Sequence, residues 1–357
     1  MLYIHDFSWV TSAGNSRAAI ELGFENGLRF DGFWKGEVSS PSLQEAELQF
    51  PKHDRTHHLA WKALQGLETL QNVSFVNVGS SRGATGLWEK HFETFLKSGK
   101  TPAVSSPLTT MGQISAFVAS QIPGNPSTLE HSMTCSTSLQ AVINADRHLA
   151  SENSSNYAIA GGTEAPLTPF TIAQFESLRI LNKRKEGYFG PLHTSHHGIA
   201  LGEGCGLVLL SRRAAGAKFK ITGMGEHFCA GEHLVDLHPD ILSKSMQKAM
   251  DKSGRTSVDA VMAHATGTKN GDTTELNSIK DVLGDVPVLS NKWAFGHTFG
   301  ASGVFNLIWA CSLLNGWQPQ IPDSHKHAHP KTKSPEAIMV NAVGFGGSAI
   351  SMVVERV

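Results

Sequence analysis

The sequence predicts an α/β fold built from two similar halves. Apolar, strand-like segments alternate with helix-like segments along most of the chain, which is typical of α/β proteins. One order of segments, an apolar strand, a turn of small residues and then a helix, occurs at residues 73–96 and again at 258–283. Internal similarity of this kind indicates one design used twice. We therefore interpret the chain as a single body made of two related halves, residues 1–213 and 214–357.

Both halves continue in the same way after the repeated unit. Each has a strand that ends in glycines, "YAIAGGTEA" at 157–165 and "IMVNAVGFGG" at 338–347, followed by a last apolar strand, at 204–213 and 347–356. The first half carries an additional connection of about 40 residues, 165–203, which is long for a compact domain. Ligand sites in α/β proteins lie at the ends of such strands, so we expect the site where the glycine-rich strand ends of the two halves meet.

Composition excludes several classes of function. The 30 Lys and Arg residues nearly balance the 31 Asp and Glu residues, which argues against nucleic acid or an anionic membrane as the main partner. We find neither an apolar run long enough to span a bilayer nor the pattern of a signal peptide. The four cysteines have no CxxC spacing, so we expect reduced thiols in a cytoplasmic protein, without a disulfide framework or a zinc site.

Cys135 lies in "SMTCSTSLQAV", directly before a helical pattern. The apolar residues that define this pattern are Leu139, Val142, Ile143 and Leu149. The thiol is therefore predicted at a helix N-terminus, where unpaired N–H groups and the helix dipole favour the thiolate and lower the pKa of the cysteine. The alternative is a small buried cysteine without chemical function.

Two histidines also lie where a strand ends or a helix begins. His264 ends an apolar strand in "AHATGTKNGDTTE", and His297 precedes a helix start of small residues in "NKWAFGHTFGASG". A thiol with histidine partners is the arrangement of a nucleophilic catalyst. We therefore interpret Cys135, His264 and His297 as one candidate site.

The motifs "TCSTSL", "AHATGT", "NKWAFGHTFGASG" and "NAVGFGG", in this order, resemble the β-ketoacyl-ACP synthases of the thiolase superfamily. The resemblance extends from about residue 73 to the end and weakly into the N-terminus. It implies a thiolase-like fold in which the two α/β halves pack as αβαβα layers. It also implies a decarboxylative Claisen condensation, in which malonyl-ACP extends an acyl chain held on a cysteine.

The resemblance assigns roles to residues of this sequence. Cys135 matches the acyl-accepting nucleophile, and His264 and His297 match the two histidines of the Cys-His-His type. Neutral imidazoles donating N–H groups can stabilise the enolate that decarboxylation leaves. The resemblance places the oxyanion of the thioester on the backbone N–H groups of Cys135 and Phe345.

Further residues match supporting positions of the family. Lys292 matches the lysine of the family's S-T-K segment, and Phe345 matches the gatekeeper phenylalanine beside the nucleophile. Thr266 and Thr268 match the threonines that contact the pantetheine arm. The positions of Gly271, Asp272 and Glu275 also agree with the family pattern.

The resemblance also implies partners. No metal or redox cofactor is expected, because the substrates are carried on the phosphopantetheine of acyl carrier protein. The family forms dimers joined along the strand before the nucleophile, here within 127–135, so we expect a homodimer or a heterodimer with a related ketosynthase. The setting is a cytoplasmic type II fatty-acid or polyketide pathway, of which an aryl-polyene-like pathway is one form.

The sequence departs from the family at two informative positions. Asn306 stands where a glutamate usually pairs with the lysine, so Lys292 lacks that carboxylate. We expect a different acid nearby or a partly solvated ammonium, because an unpaired buried charge is costly. Ala265 replaces a usual glycine in the first histidine motif. The departure at Asn306, together with a chain that is shorter than typical members of the family, leaves open a second reading, a chain-length-factor-like partner subunit of a ketosynthase heterodimer.

Two other features suggest different chemistry. "GSSRG" at 79–83 has the G-x-S-x-G form of a hydrolase nucleophile turn around Ser81, but no acid and histidine follow in the expected setting. Clustered histidines could bind a metal, although such clusters are usually loop residues. They are His193, His196 and His197 in one segment and His325, His327 and His329 in another.

Overall fold

The computed structural model describes residues 1–14, 27–151, 156–185, 190–193, 195, 198–229, 239–319, 321 and 334–357. The predicted α/β class is confirmed in these ranges, although several strands and several helices follow one another directly. The elements of the first half are β1 (Leu2–Thr11), β2 (Arg29–Phe30), β3 (Trp34–Gly36), α1 (Ser40–Gln49), α2 (Arg55–Leu64), β4 (Val73–Gly79), α3 (Thr85–Ser98), α4 (Ser105–Thr109), α5 (Gln113–Ser120), β5 (Ser127–Thr128), α6 (Thr137–Leu149), β6 (Tyr157–Glu164), α7 (Pro169–Ser177), β7 (Leu201–Gly202) and β8 (Gly204–Ser211). The elements of the second half are β9 (Phe219–Phe228), α8 (Pro239–Ser253), β10 (Ala260–Met262), α9 (Lys269–Leu283), β11 (Val288–Leu289), α10 (Lys292–Phe295), a 3₁₀ turn (Phe299–Ala301), α11 (Ser302–Leu314), β12 (Ala337–Gly344) and β13 (Ser348–Arg356).

The main sheet consists of two five-strand units joined edge to edge. Its described strands follow the order β11-β10-β12-β13-β9-β1-β8-β6-β4-β5. β1 and β9 pair antiparallel at the junction, with Leu2 opposite Ile221. Moving outward from this junction, each unit has the same sequence of two antiparallel and then two parallel pairings. The two halves are therefore internally similar, as predicted, while their division between residues 213 and 214 stays a prediction.

Apolar clusters on the two faces of these units define the layers. The central cluster contains Leu139 and Val142 of α6 together with Leu307 and Trp309 of α11. A second cluster packs α1, α2 and α5 on the outside of the first unit, and a third packs α8 and α9 on the outside of the second. Helices thus lie outside each unit and between the two units. This is the αβαβα order that the resemblance implies.

The long connection at 165–203 contributes α7 and the short strand β7. β7 pairs with β3 in a small three-stranded sheet. The same segment contacts the second half, because the backbone N–H of His297 donates to the carbonyl of Ala200 at 2.7 Å and that of Gly202 donates to the carbonyl of His297 at 2.9 Å. The connection therefore helps to hold His297 in place.

None of the helices in the described part of the chain combines the length and apolar character that a bilayer span requires.

Candidate active site

Cys135 lies in a tight turn between β5 and the first residue of α6, Thr137. The helix predicted after the cysteine is therefore confirmed. Thr134, one residue before the cysteine, has a positive φ of 49°. The hydroxyl of Ser136 donates to the carbonyl of Met133 at 2.8 Å. Cys135 is buried in this turn, with 5% of the residue exposed.

His297 contacts the thiol directly. The Sγ atom of Cys135 lies 3.3 Å from Nε2 of His297. On the other side of the ring, Nδ1 of His297 lies 3.0 Å from Oγ of Ser302, the first residue of α11. The ring also stacks on Phe299, with ring centroids 5.2 Å apart. Ser302 and Phe299 thus hold the imidazole with Nε2 facing the sulfur.

His264 completes the cluster from the end of β10. Its ring centroid lies 5.3 Å from that of His297, with the two rings nearly perpendicular. The carboxylate of Glu275 on α9 accepts the backbone N–H groups of His264 at 2.8 Å and Ala265 at 2.7 Å. Donor atoms of Cys135, His264 and His297 all lie within 4.8 Å of one another. The structure therefore brings together the three residues that the sequence singled out.

The charge state of the cluster follows from its burial. Desolvation lowers the pKa of both His264 and His297 well below the usual value, and the nearby Lys292 ammonium lowers both further. Burial also raises the pKa of the Cys135 thiol to about 12, and Glu164 adds to this, whereas Lys292 and Arg82 oppose it. The expected lowered thiol pKa is therefore wrong, because desolvation outweighs the favourable helix terminus. At neutral pH the resting site contains a thiol and two neutral imidazoles.

Lys292 lies at the start of α10 and is only 2% exposed. Burial lowers the pKa of its ammonium, and the carboxylate of Glu275 is the largest influence in the opposite direction. Of the two outcomes expected for this lysine, the structure shows a different acid nearby rather than solvation. Asn306 has another role, because its Nδ2 donates to the carbonyls of Ala263 and Asn341, each at 3.0 Å.

A cavity of about 760 Å³ opens above the cluster. Its walls include all three cluster residues, and Thr266 and Thr268, whose Oγ1 atoms lie 3.2 Å apart, line it on the second half. Phe345 borders the same space and is 40% exposed. Its carbonyl accepts the hydroxyl of Thr134 at 3.1 Å, which ties the glycine-rich turn to the turn of the nucleophile. Arg179 and Lys269 add two exposed cations to the lining.

Sequence reasoning missed two groups that support the cluster. Ser302 orients His297, but a serine at a helix start carries no distinctive signal. Glu164, at the end of β6, is fully buried and accepts the hydroxyl of Ser81 at 2.7 Å and the backbone N–H of Gly300 at 3.3 Å. In the sequence, Glu164 follows the glycines that end an apolar strand, and a carboxylate at such a position could have been recognised as a candidate site residue. The same contact bears on the hydrolase alternative, because the described hydrogen-bond partner of the Ser81 hydroxyl is this carboxylate and not a histidine.

The clustered histidines give no metal site that can be described. Nδ1 of His193 accepts the backbone N–H of Ser195 at 3.0 Å. His196, His197, His325, His327 and His329 lie outside the described residues.

Comparisons with known proteins agree with this geometry. Residues 53–215 match the N-terminal domain of beta-ketoacyl synthase, and residues 221–323 match its C-terminal domain. The 3-oxoacyl-[acyl-carrier-protein] synthase 2 of Rhizobium meliloti is 28% identical over 298 residues, which are 72% of this chain and 68% of the relative. In comparisons with four such synthases, the matched part of this chain spans between 56% and 75% of the length of each relative.

Solved structures show the same fold. One chain from the solved structure of a type II polyketide synthase acyl-carrier protein in complex with its ketosynthase superposes on this protein with a TM-score of 0.84 at 20% identity. The superposition covers 100% of this chain and 99% of the chain from that structure. A ketosynthase in complex with its chain length factor from Xenorhabdus doucetiae gives 0.81 at 22% identity, covering 100% and 98%. The two five-strand units enclose buried helices, and a cysteine from the first half meets two histidines from the second. This arrangement defines the thiolase-like class of proteins. Within that class, the chain belongs to the β-ketoacyl synthase family.

Proposed function

We propose that the protein is a β-ketoacyl-ACP synthase of a type II fatty-acid or polyketide pathway. The observation that carries this proposal is the contact of 3.3 Å between Sγ of Cys135 and Nε2 of His297, with His264 beside it at the base of an open cavity. In the proposed reaction, Cys135 holds the growing acyl chain and the two histidines act on malonyl-ACP.

The first half-reaction loads the acyl chain on Cys135. The S–H proton passes to the lone pair of Nε2 of His297 as sulfur attacks the acyl-ACP thioester. The proton then goes to the pantetheine thiol that leaves. During this transfer Nδ1 of His297 keeps its proton and donates to Ser302 Oγ, both in the neutral ring and in the imidazolium. The other neutral tautomer, with its N–H on Nε2, serves the second half-reaction, and Ser302 Oγ supports it by donating to Nδ1. The raised thiol pKa makes such a proton acceptor necessary, since the resting cysteine is not ionised.

The second half-reaction forms the carbon–carbon bond. Malonyl-ACP loses CO₂, and the enolate oxygen accepts N–H groups from His264 and His297. The carbanion attacks the Cys135 thioester, whose oxyanion we assign to the backbone N–H groups of Cys135 and Phe345. Collapse of this intermediate expels the cysteine sulfur, which regains one proton, and leaves β-ketoacyl-ACP. The low pKa values of the two histidines suit this step, because a neutral imidazole donates its N–H group to the enolate oxygen without placing a positive charge in the buried site.

The cavity suits a pantetheine arm. Thr266 and Thr268 offer hydroxyls along its wall, and the exposed cations Arg179 and Lys269 suit the phosphate of the arm and an acidic carrier protein. The proposed reaction requires no metal or redox cofactor. We place the protein in the cytoplasm, where such carrier proteins act.

The second candidate is a chain-length-factor-like partner subunit. Asn306 favours it, because the family's usual carboxylate at this position is replaced by an amide that bonds backbone carbonyls. The structural similarity to a ketosynthase in complex with its chain length factor is compatible with it. Both candidates imply a dimer, either of two copies or with a related ketosynthase.

Intact-mass measurement after incubation with acyl-ACP tests the proposal. Wild type is expected to gain one acyl group on Cys135, and Cys135→Ala is expected to gain none. Labelling that persists in Cys135→Ala contradicts the assignment of the nucleophile. If wild type takes no acyl group, either alone or with a co-expressed ketosynthase, the partner-subunit function replaces the condensing one.

A further inference from the structure

The cluster of Cys135, His264 and His297 also has the donor atoms of a zinc site. One sulfur and two imidazole nitrogens lie within 4.8 Å of one another, and no other comparable group of His, Cys, Asp and Glu occurs in the described residues. A thiolate with two imidazoles is a donor set that Zn²⁺ binds with three protein ligands and one open position. We propose that the resting site binds one Zn²⁺ through these three residues and is reversibly blocked by it.

The measured separation fits this coordination. A zinc ion about 2.3 Å from sulfur and about 2.1 Å from nitrogen holds two tetrahedral ligands roughly 3.6 Å apart. Sγ of Cys135 and Nε2 of His297 are 3.3 Å apart, so a movement of a few tenths of an ångström admits the ion. The donor atoms of the cluster lie within 4.8 Å of one another, so a movement of at most roughly 1 Å brings His264 to the separation of a third ligand. The cavity of about 760 Å³ leaves the fourth position open to water.

The hydrogen bonds of the two imidazoles are compatible with metal ligation. When Nδ1 of His297 donates to Oγ of Ser302, the lone pair is on Nε2, which faces the sulfur. Such an outer hydrogen bond is usual for a metal-bound histidine. Nδ1 of His264 is buried and has no hydrogen-bond partner among the described residues.

Nearby charges act on a bound dication in both directions. Lys292 and Arg82 oppose it, whereas the buried acids Glu164, Asp272 and Glu275 favour it in their charged form. Binding replaces the S–H bond by an S–Zn bond and releases one proton to solvent, so no oxidant or further reactant is required. The bound sulfur no longer attacks a thioester. The inhibition of acyl transfer by zinc rests on the proposed function, whereas zinc binding itself does not.

Cobalt(II) is the appropriate probe, because a cobalt–thiolate bond absorbs in the near ultraviolet. Metal-free wild type is expected to bind one Co²⁺ per chain with this absorption, and one equivalent of Zn²⁺ is expected to remove it. Cys135→Ser should lose the band, and His264→Ala should bind at least about a hundredfold more weakly. Ser302→Ala, which leaves all three ligands, should bind about tenfold more weakly.

Cys229→Ser is the matched control, since it removes a partly exposed thiol outside the cluster. Histidines at 325–329 contribute equally to wild type and Cys135→Ser, so the difference between these two proteins reports the cluster alone. Equal cobalt binding in these two proteins, or binding without a thiolate band, overturns the proposal. Acylation measured with a chelator present separates this result from a failure of the proposed function.

Discussion

The Sγ atom of Cys135 and Nε2 of His297 lie 3.3 Å apart, and both groups are uncharged at neutral pH. This differs from the thiolate–imidazolium pair of many cysteine enzymes. Burial raises the pKa of the Cys135 thiol and lowers the pKa of the His297 imidazole, so the proton remains on sulfur. The nucleophile is consequently formed during attack and does not exist beforehand.

Alkylation of Cys135 by iodoacetamide is therefore expected to depend steeply on pH. Because the thiol pKa is raised to about 12, the thiolate fraction and the rate should rise about tenfold per pH unit from pH 6 to 9, without a plateau. Lys292→Gln removes a cation that lowers this pKa, so its alkylation should be slower at each pH. Site-resolved mass spectrometry gives the rates, with Cys229 as an internal comparison. A plateau near neutral pH contradicts the proposed resting state.

The two histidines are expected to differ in their contributions. His264→Ala should reduce decarboxylation of malonyl-ACP about 10²- to 10³-fold, because it removes one donor to the enolate, and should leave acylation of Cys135 largely intact. His297→Ala should impair both steps, since Nε2 is also the proton acceptor for the thiol. CO₂ release and intact-mass labelling measure the two steps separately. His91→Ala, at a buried histidine that is not part of the cavity lining, serves as the control. Equal acylation by both site variants excludes His297 as the base.

The sequence predicted more of the site than of its electrostatics. Spacing and order identified Cys135, His264 and His297, because motifs at strand ends are local features. The raised thiol pKa was not predictable, since it depends on how deeply the two halves bury the turn. The influence of Glu275 on Lys292 was not predictable either, because Glu275 lies in the first histidine motif and only the fold brings it near the lysine. Similarly, no pattern indicated that β1 joins the two halves.

Asn306→Asp is expected to destabilise the protein strongly. The Nδ2 group donates to the carbonyl of Ala263, directly after β10, and to the carbonyl of Asn341, within β12. The carboxylate of an aspartate would face both carbonyl oxygens without a proton to donate. Loss of two buried hydrogen bonds and burial of a charge should lower the free energy of unfolding by about 3 kcal/mol or more. Chemical denaturation measures the change. Asn315→Asp, exposed at the end of the same helix, should lower the free energy of unfolding by at most about 1 kcal/mol, the effect of a negative charge at a helix C-terminus. Equal effects at the two positions refute this role of the amide.

Ala265→Gly is expected to stabilise the protein. Ala265 has a positive φ of 26°, in a region where a side chain is strained, and the family usually has glycine there. Removing the Cβ should increase the free energy of unfolding by about 1 kcal/mol. The control is Ala173→Gly on the exposed face of α7, which should reduce stability by about 0.5–1 kcal/mol. A loss of stability in both variants shows that Ala265 is not strained.

The edge strand β5 provides the last prediction. β5 ends the main sheet, and its residues Ser127 and Thr128 are exposed.

The backbone N–H of Leu129 donates to the carbonyl of Val76, so the alternation of a strand directs the N–H of Thr128 outward. If a second ketosynthase-fold subunit pairs along this edge, Thr128→Pro removes a hydrogen bond from each subunit without disturbing the pairing with β4. The dissociation constant of the dimer should rise about tenfold or more, because each lost bond contributes about 1 kcal/mol. Thr128→Val keeps the N–H group and should assemble as wild type does. Sedimentation equilibrium, of the chain alone and with a co-expressed ketosynthase, measures the constant. Unchanged assembly of a normally folded Thr128→Pro protein locates the dimer interface elsewhere.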